Sequence, residues 1–292
     1  MDFELELYDR LKVISDTIRL YGEDRFYISF SGGKDSTILH YLVDMALPNN
    51  HIPRVYSNTG LDYSLIKEFV SQLAEKDSRI IMIAPSKPIK KTLEEYGYPF
   101  KSKHHSYMLE KYQRLGLVKG VKNYLGIGDS QLQTTCPKRL MYQFTPDFHI
   151  KISDLCCIKM KEEPLTKWSK ENHKDIAITG IMPDEGGRRT KAGCLTTRDG
   201  KVRFFNPLVK VNKAFEDWFI AKYNLKICEI YYPPYSFKRT GCKGCPFALE
   251  LQNELDVLEK HFPTEKLQCE TIWKPIYEEY RRTGYRLRKE KK

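Results

Sequence analysis

Apolar residues recur along this chain in two alternating patterns. Over residues 4–22, Leu5, Leu7, Tyr8, Leu11, Ile14, Ile18 and Leu20 have helical spacing, which predicts an amphipathic helix with these side chains largely inward. Short runs of aromatic and β-branched residues near 26–30, 53–57 and 79–84 read as buried strands, separated by helices near 35–47 and 62–75. Asp175-Ile176-Ala177-Ile178-Thr179-Gly180 reads as a further strand. This alternation predicts right-handed crossovers and an α/β fold built on a doubly wound, mostly parallel sheet. Residues 100–150 break the pattern and read as a helical and loop insertion, and the C-terminal part reads as helical. Neither an internal repeat nor a low-complexity linker interrupts residues 1–292, so a single domain is expected.

Ligands of open α/β sheets sit outside the carboxyl ends of the strands, so the loops after residues 30, 57 and 180 should converge on one crevice. The first of these loops carries the clearest chemistry. Phe26-Tyr27-Ile28-Ser29-Phe30 leads into Ser31-Gly32-Gly33-Lys34-Asp35-Ser36-Thr37, after which Ile38, Leu39, Tyr41, Leu42, Met45 and Leu47 resume helical spacing. Paired glycines let the backbone approach an anion, and the first helix amides then point at it with the positive end of the helix dipole. Lys34 adds a mobile charge, and Ser31 and Ser36 add hydroxyl donors. The spacing is neither that of the Walker loop nor that of the dinucleotide fingerprint. Asp35 suits either a magnesium ligand or a cap on the following helix.

The charge balance changes the picture in one respect. Lys and Arg number 49 against 38 Asp and Glu, a net charge of +11, which exceeds what one nucleotide needs. Part of the excess is local: Lys101, Lys103, Lys111, Arg114, Lys119, Lys122, Lys138 and Arg139 lie close in sequence, and residues 281–292 form a basic tail. Interleaved with Tyr107, Tyr112, Tyr124 and Tyr285, these patches suit either a nucleic-acid backbone, as in tRNA or DNA, or a plain solvated surface. No apolar run approaches a bilayer's thickness, and the acidic, amphipathic start is unlike a signal peptide. A cytoplasmic protein with no membrane partner is expected.

Eight cysteines supply the second signal. A disulfide framework is not expected in a chain of this size without a secretory signal. Cys242-Lys243-Gly244-Cys245 has the two-residue spacer that lets both thiolates face one metal centre, either zinc or an iron–sulfur cluster. Two further ligands are required, and the tandem Cys156-Cys157 can supply them.

Ser-Gly-Gly-Lys-Asp-Ser resembles the PP-loop of the adenine nucleotide alpha-hydrolase superfamily, and within it the chain looks most like the phosphoadenosine phosphosulfate (PAPS) reductase family. Asn58-Thr59-Gly60-Leu61 resembles that family's second-strand signature, with Asn58 in place of the usual acid. Gly180-Ile181-Met182-Pro183-Asp184-Glu185-Gly186-Gly187-Arg188-Arg189 is similar to its phosphate- or sulfate-reaching segment, with Met182 in place of an arginine. Asn206-Pro207-Leu208, followed by Phe215 and Trp218, completes the likeness. The resemblance implies that Ser31, Gly32, Gly33, Lys34, Asp35, Ser36, Thr59, Gly60, Glu185 and Arg188 bind an adenine nucleotide: PAPS, adenosine phosphosulfate or ATP with Mg²⁺. It assigns catalytic roles to Lys34, Arg188 and Arg189.

A Cys-Cys pair followed, after 84 intervening residues, by Cys-x-x-Cys resembles the ligand set of adenosine 5′-phosphosulfate reductases. That likeness implies a [4Fe–4S] cluster on Cys156, Cys157, Cys242 and Cys245. Adjacent cysteines are awkward ligands for tetrahedral zinc, which also favours the cluster.

One part of the family pattern is missing. Phosphosulfate reductases attack sulfur with a cysteine in a C-terminal Glu-Cys-Gly-Leu-His-like motif and use thioredoxin to resolve the product. Here Cys269 is the late cysteine, with Leu267, Ile272 and Ile276 around it suggesting a packed helix; Cys136 and Cys194 are rival nucleophiles. The expected function is therefore phosphosulfate reduction to sulfite. The alternatives are ATP-dependent sulfur transfer to tRNA or DNA, and a non-catalytic, cluster-bearing nucleotide sensor or assembly subunit. A thioredoxin-like reductant, a sulfur donor and a second copy of the chain are the other expected partners.

Overall fold

The computed structural model describes residues 2–128, 135–182 and 193–289. The chain divides into two compact units: Met1–Asn58, Asp62–Pro85 and Glu163–Thr240 form one, and Thr59–Leu61, Ser86–Glu162 and Gly241–Lys292 the other.

The first unit is built on a six-stranded sheet. Its strands are β1 (Phe26–Phe30), β2 (Arg54–Ser57), β3 (Ile80–Ile83), β4 (Ile176–Ile178), β5 (Leu195–Arg198) and β6 (Lys201–Phe205), in the order β3-β2-β1-β4-β6-β5. All neighbours are parallel except the β5–β6 hairpin. The apolar runs read as strands from the sequence are these parallel strands, and β1 and β4 are buried as continuous apolar runs require. On one face Tyr27, Val55 and Ala177 pack against Leu165 and Trp168 of α8 (Glu163–Glu171).

Helix α1 (Phe3–Tyr21) packs on α2 (Lys34–Ala46), which also meets α9 (Lys213–Tyr223). Asp2 caps α1 by accepting the N–H groups of Glu4 and Leu5. The inward stripe of α1 is narrower than expected. Leu7, Ile14 and Ile18 are buried, whereas Leu5, Tyr8 and Leu20 are exposed, because they fall on the far side of the 3.6-residue period. At the start of β2, fully buried Arg54 donates to His40, Asn50 and Asp44. His40, Asp44 and Asp77 bring three donor atoms within 4.8 Å, but Arg54 and Arg79 already neutralise the two acids, so the cluster pins β2 to α2 rather than awaiting a cation.

The second unit is mainly helical: α4 (Ile89–Tyr96), α5 (Lys103–Leu115), α6 (Lys119–Leu125), the single turn α7 (Leu155–Cys157), α10 (Leu251–His261), α11 (Pro263–Ile272) and α12 (Lys274–Thr283). Residues 100–150 contribute α5, α6 and a 3-10 segment, Lys138–Phe144. Among the described residues no helix is long and apolar enough to cross a membrane.

Candidate functional site

The turn from β1 into α2 is closed on itself by hydroxyl groups. Gly32 adopts φ +67°, and a Cβ there would lie 2.5 Å from Val70 Cγ2 on α3 (Ser64–Ala74), so both conformation and space demand glycine. The Gly33 N–H donates to Ser31 Oγ (3.3 Å), the Ser31 N–H to Ser36 Oγ (3.2 Å), and the Ser36 and Thr37 hydroxyls to the Gly33 carbonyl. The Lys34 N–H donates to the Tyr231 hydroxyl (3.1 Å), which in turn meets Thr240. A glycine-rich turn of this kind at the start of a helix is the setting in which backbone amides take a phosphate, with these hydroxyl partners standing in for its oxygens.

The Lys34 side chain is held by α9. Its Nζ lies 3.2 Å from Glu216 Oε2 and 3.3 Å from Asp217 Oδ1. Burial opposes the Lys34 charge, but the two carboxylates outweigh it and hold the ammonium above its usual range. Burial first, and then neighbouring Asp35, push Glu216 up to about 7. The buried Glu216 carboxylate thus faces both the Lys34 ammonium and Asp35. Gly180, just past β4, presses on Asp35: a Cβ would stand 3.1 Å from the Asp35 carbonyl carbon. The loop after β4 thus starts at the β1–α2 turn; Glu185, Arg188 and Arg189 lie outside the described residues. Asn206 is structural, joining Thr179 to the Gly193 carbonyl.

Thr59 and Gly60 belong to the second unit. Thr59 is buried and accepts the Leu61 N–H, while Gly60 takes φ +73° with open space around it. The Leu61 carbonyl accepts the N–H of Lys243, inside the Cys-x-x-Cys turn (2.6 Å).

The four cysteines of the expected ligand set share this unit. Cys156 and Cys157 end α7, where the helix widens into a π turn over Ile158–Glu162, an irregularity that often accompanies functional sites. The Cys156 S–H donates to Cys157, which draws the Cys157 thiol down to about 6 against burial, with Lys103 and Lys161 assisting. The same bond, and burial, push Cys156 up, and the fields of Cys245 and Cys242 add to this. Cys245 is pushed up by burial, then by Cys242 and Cys157. These four thiols therefore sense one another. Among the described residues no three of their sulfurs lie within 4.8 Å of each other. Four thiolates around one zinc would stand about 3.8 Å apart, from Zn–S bonds of about 2.3 Å. The four sulfurs are therefore not gathered as tightly as a bound zinc would hold them.

A stripe of aromatic donors that sequence reading passed over holds the Cys-x-x-Cys turn. Trp273, Tyr277 and Tyr280 lie at i, i+4 and i+7 on α12 and its cap, and donate to the carbonyls of Lys243 (3.2 Å), Gly244 and Pro246 (2.8 Å) respectively. Lys243 is buried and pairs with Glu265 (3.5 Å). The signal in the sequence is the 4-then-3 spacing of side chains with polar tips. Tyr231 and Glu216 were also passed over; no local spacing marks them.

The remaining cysteines lie apart from the ligand set, and Cys136, Cys228 and Cys269 are buried. Burial pushes the thiols of Cys136 and Cys228 up to about 11 and that of Cys269 up to about 12, and also raises Cys194. Cys269 is 1% exposed in α11. Leu267, expected to pack beside it, is exposed on the outer face of that helix.

The sequence matches the family model of the phosphoadenosine phosphosulfate reductase domain over residues 25–135 and 132–248. The chain belongs to that family. No curated protein sequence matches it. Among solved structures, the phosphoadenylyl-sulfate reductase of Candida auris, in a phosphate complex, shares 12% identity, with 80% of this chain and 93% of that one covered at a TM-score of 0.45. The U34-tRNA thiolase NcsA of Methanococcus maripaludis, solved with its [4Fe–4S] cluster, shares 17% identity, with 94% of this chain and 79% of that one covered at a TM-score of 0.40.

Proposed function

We propose that this protein is an ATP-dependent sulfurtransferase. ATP binds at the Ser31–Ser36 loop, and an acceptor oxygen attacks its α-phosphorus, forming an adenylated acceptor and releasing pyrophosphate. Hydrosulfide supplied from outside then attacks the activated carbon or phosphorus, forming the new carbon– or phosphorus–sulfur bond as the bond to oxygen breaks and AMP leaves with that oxygen. The observation that carries this reading is the state of the cysteines. All eight lie among the described residues; of the four outside the ligand set Cys136, Cys228 and Cys269 are buried, and burial raises all four thiols, which disfavours the exposed thiolate that direct attack on sulfate requires.

In this reading the loop amides, Ser31 and Ser36 bind phosphate oxygens, and Lys34 moves from Glu216 and Asp217 to the phosphates. The carboxylates so released, with Asp35, suit Mg²⁺. Arg188 and Arg189 neutralise the distal anion. Cys156, Cys157, Cys242 and Cys245 hold a [4Fe–4S] cluster, which when bound supplies positive iron centres that stabilise anionic sulfur. The protein's part there is a buried Lys243 and a turn locked by three aromatic donors.

Membership of the reductase family favours a second reading, reduction of PAPS or adenosine phosphosulfate with a thioredoxin-like reductant. The test is to incubate anaerobically purified, cluster-loaded protein with PAPS and thioredoxin, and separately with ATP, sulfide and tRNA or DNA. Pyrophosphate and AMP release supports transfer. Sulfite release without either product overturns it.

A further inference from the structure

Charge is unevenly divided between the two units. The cysteine-bearing unit holds 25 lysines and arginines against 16 acidic residues, whereas the sheet unit holds 24 against 22. Within the cysteine-bearing unit Arg139 and Arg286 flank Tyr285, and Lys101 lies within the field of Arg286. The Arg139 guanidinium lies 4.5 Å from the Tyr285 ring centroid and that of Arg286 5.7 Å. A hydrogen-bonded chain ties two of these cations to the Cys-x-x-Cys turn. The Lys101 N–H donates to Tyr280 Oη (2.8 Å), Tyr280 donates to the Pro246 carbonyl (2.8 Å), and Arg286 donates to the same carbonyl (2.6 Å).

Three features mark this cluster as more than solvated surface. Neighbouring Arg281, Arg282 and Arg288 each pair with a carboxylate, whereas among the described residues Lys101, Arg139 and Arg286 do not. Lys101 (φ +59°) and Arg286 (φ +60°) both sit in the left-handed backbone region, which side chains of this kind disfavour and which gathers at binding sites. Burial and the Arg286 charge also destabilise the Lys101 ammonium, a cost that a bound anion would relieve. Exposed Lys119, Lys122 and Lys138 extend the positive surface of the same unit beyond what one small anion needs.

We propose that Lys101, Arg139 and Arg286 form a binding site for a backbone phosphate of a nucleic-acid strand, placed beside the Cys-x-x-Cys turn. This names the acceptor class for the sulfur-transfer reading and rests on it for its purpose, though not for its detection.

The test is fluorescence anisotropy of a labelled 20-nucleotide single-stranded RNA with the full chain, without ATP, across a salt series. Lys101→Gln, Arg139→Gln and Arg286→Gln should each weaken binding about threefold to tenfold and flatten the log–log salt dependence by about 0.7 per lost contact, while Arg139→Lys keeps the wild-type slope. Thermal melts and ATP binding at the Ser31–Ser36 loop verify that each variant is folded. Inorganic phosphate and AMP, added at constant ionic strength, should not displace the RNA at millimolar concentration. Equal affinities and slopes in wild type and all three glutamine variants overturn the site, and complete displacement by phosphate reassigns it to a free anion. RNA binding with no AMP release defeats sulfur transfer alone, whereas AMP release with unchanged slopes defeats this site alone.

Discussion

Gly244 and Cys269 pack so closely that a Cβ on residue 244 would stand 2.7 Å from the Cys269 sulfur and 2.4 Å from the Tyr277 hydroxyl. Gly244 also holds φ +60°. Cys269 is thus the floor beneath the Cys-x-x-Cys turn. Gly244→Ala should cost about 2–4 kcal/mol through backbone strain and overpacking. It should also lower bound iron, whereas Cys269→Ala should keep iron and activity within about threefold. Urea melts with iron assays check both, and iron loss in Cys269→Ala would make that residue a ligand.

Anaerobically purified protein should be brown, with absorbance near about 400 nm from a cluster with cysteine ligands. Cys157→Ala should lose most of the iron. Full iron content in that variant, or a colourless preparation holding zinc, removes Cys157 from the ligand set.

Gly32→Ala places a Cβ 2.5 Å from Val70 at a left-handed position, and so should open the β1–α2 turn. ATP affinity by isothermal calorimetry should fall at least about tenfold, while RNA binding stays as in wild type. An unchanged ATP affinity would place the nucleotide elsewhere.

Glu216 is held near 7, above an unfolded carboxylic acid at 4.5, by burial and Asp35. The folded chain therefore binds the extra proton between these values, and stability from this group falls as pH rises from 4.5 to 7. Glu216→Gln should remove that trend, so its melting temperature relative to wild type should climb between pH 5 and pH 8. A constant difference across that range would show that Glu216 is not strained.

His40 and His105 act in the opposite sense. Burial holds each near 4, against 6.5 when unfolded, with Arg54 adding to the effect at His40. The unfolded chain takes up these protons first, so stability is retained above pH 6.5 and lost as pH falls towards 4, by about 3 kcal/mol per histidine. His105 bridges Tyr124 and Gln143. Urea melts at pH 7.5 and 4.5 should show a smaller acid loss in His105→Gln than in wild type; an equal loss would locate the acid sensitivity elsewhere.

Local pattern alone determined the strand–Gly-Gly–helix turn and the paired thiols of Cys-x-x-Cys, because each depends on residues adjacent in the chain. The apolar runs of β1, β2 and β4 specified a parallel sheet for the same reason: burial on both faces leaves no polar alternation. Tertiary structure decided the rest. Tyr231 reaches Lys34 across 197 residues, and Glu216 takes hold of its ammonium from α9. Neither pairing leaves a periodic trace, since a single hydrogen bond or ion pair constrains two positions and no interval between them. The burial of Cys269 was likewise settled only when α11, α12 and the Gly244 turn came together. Its thiol, open to two readings as sequence, became a packed wall once its neighbours removed solvent from around it.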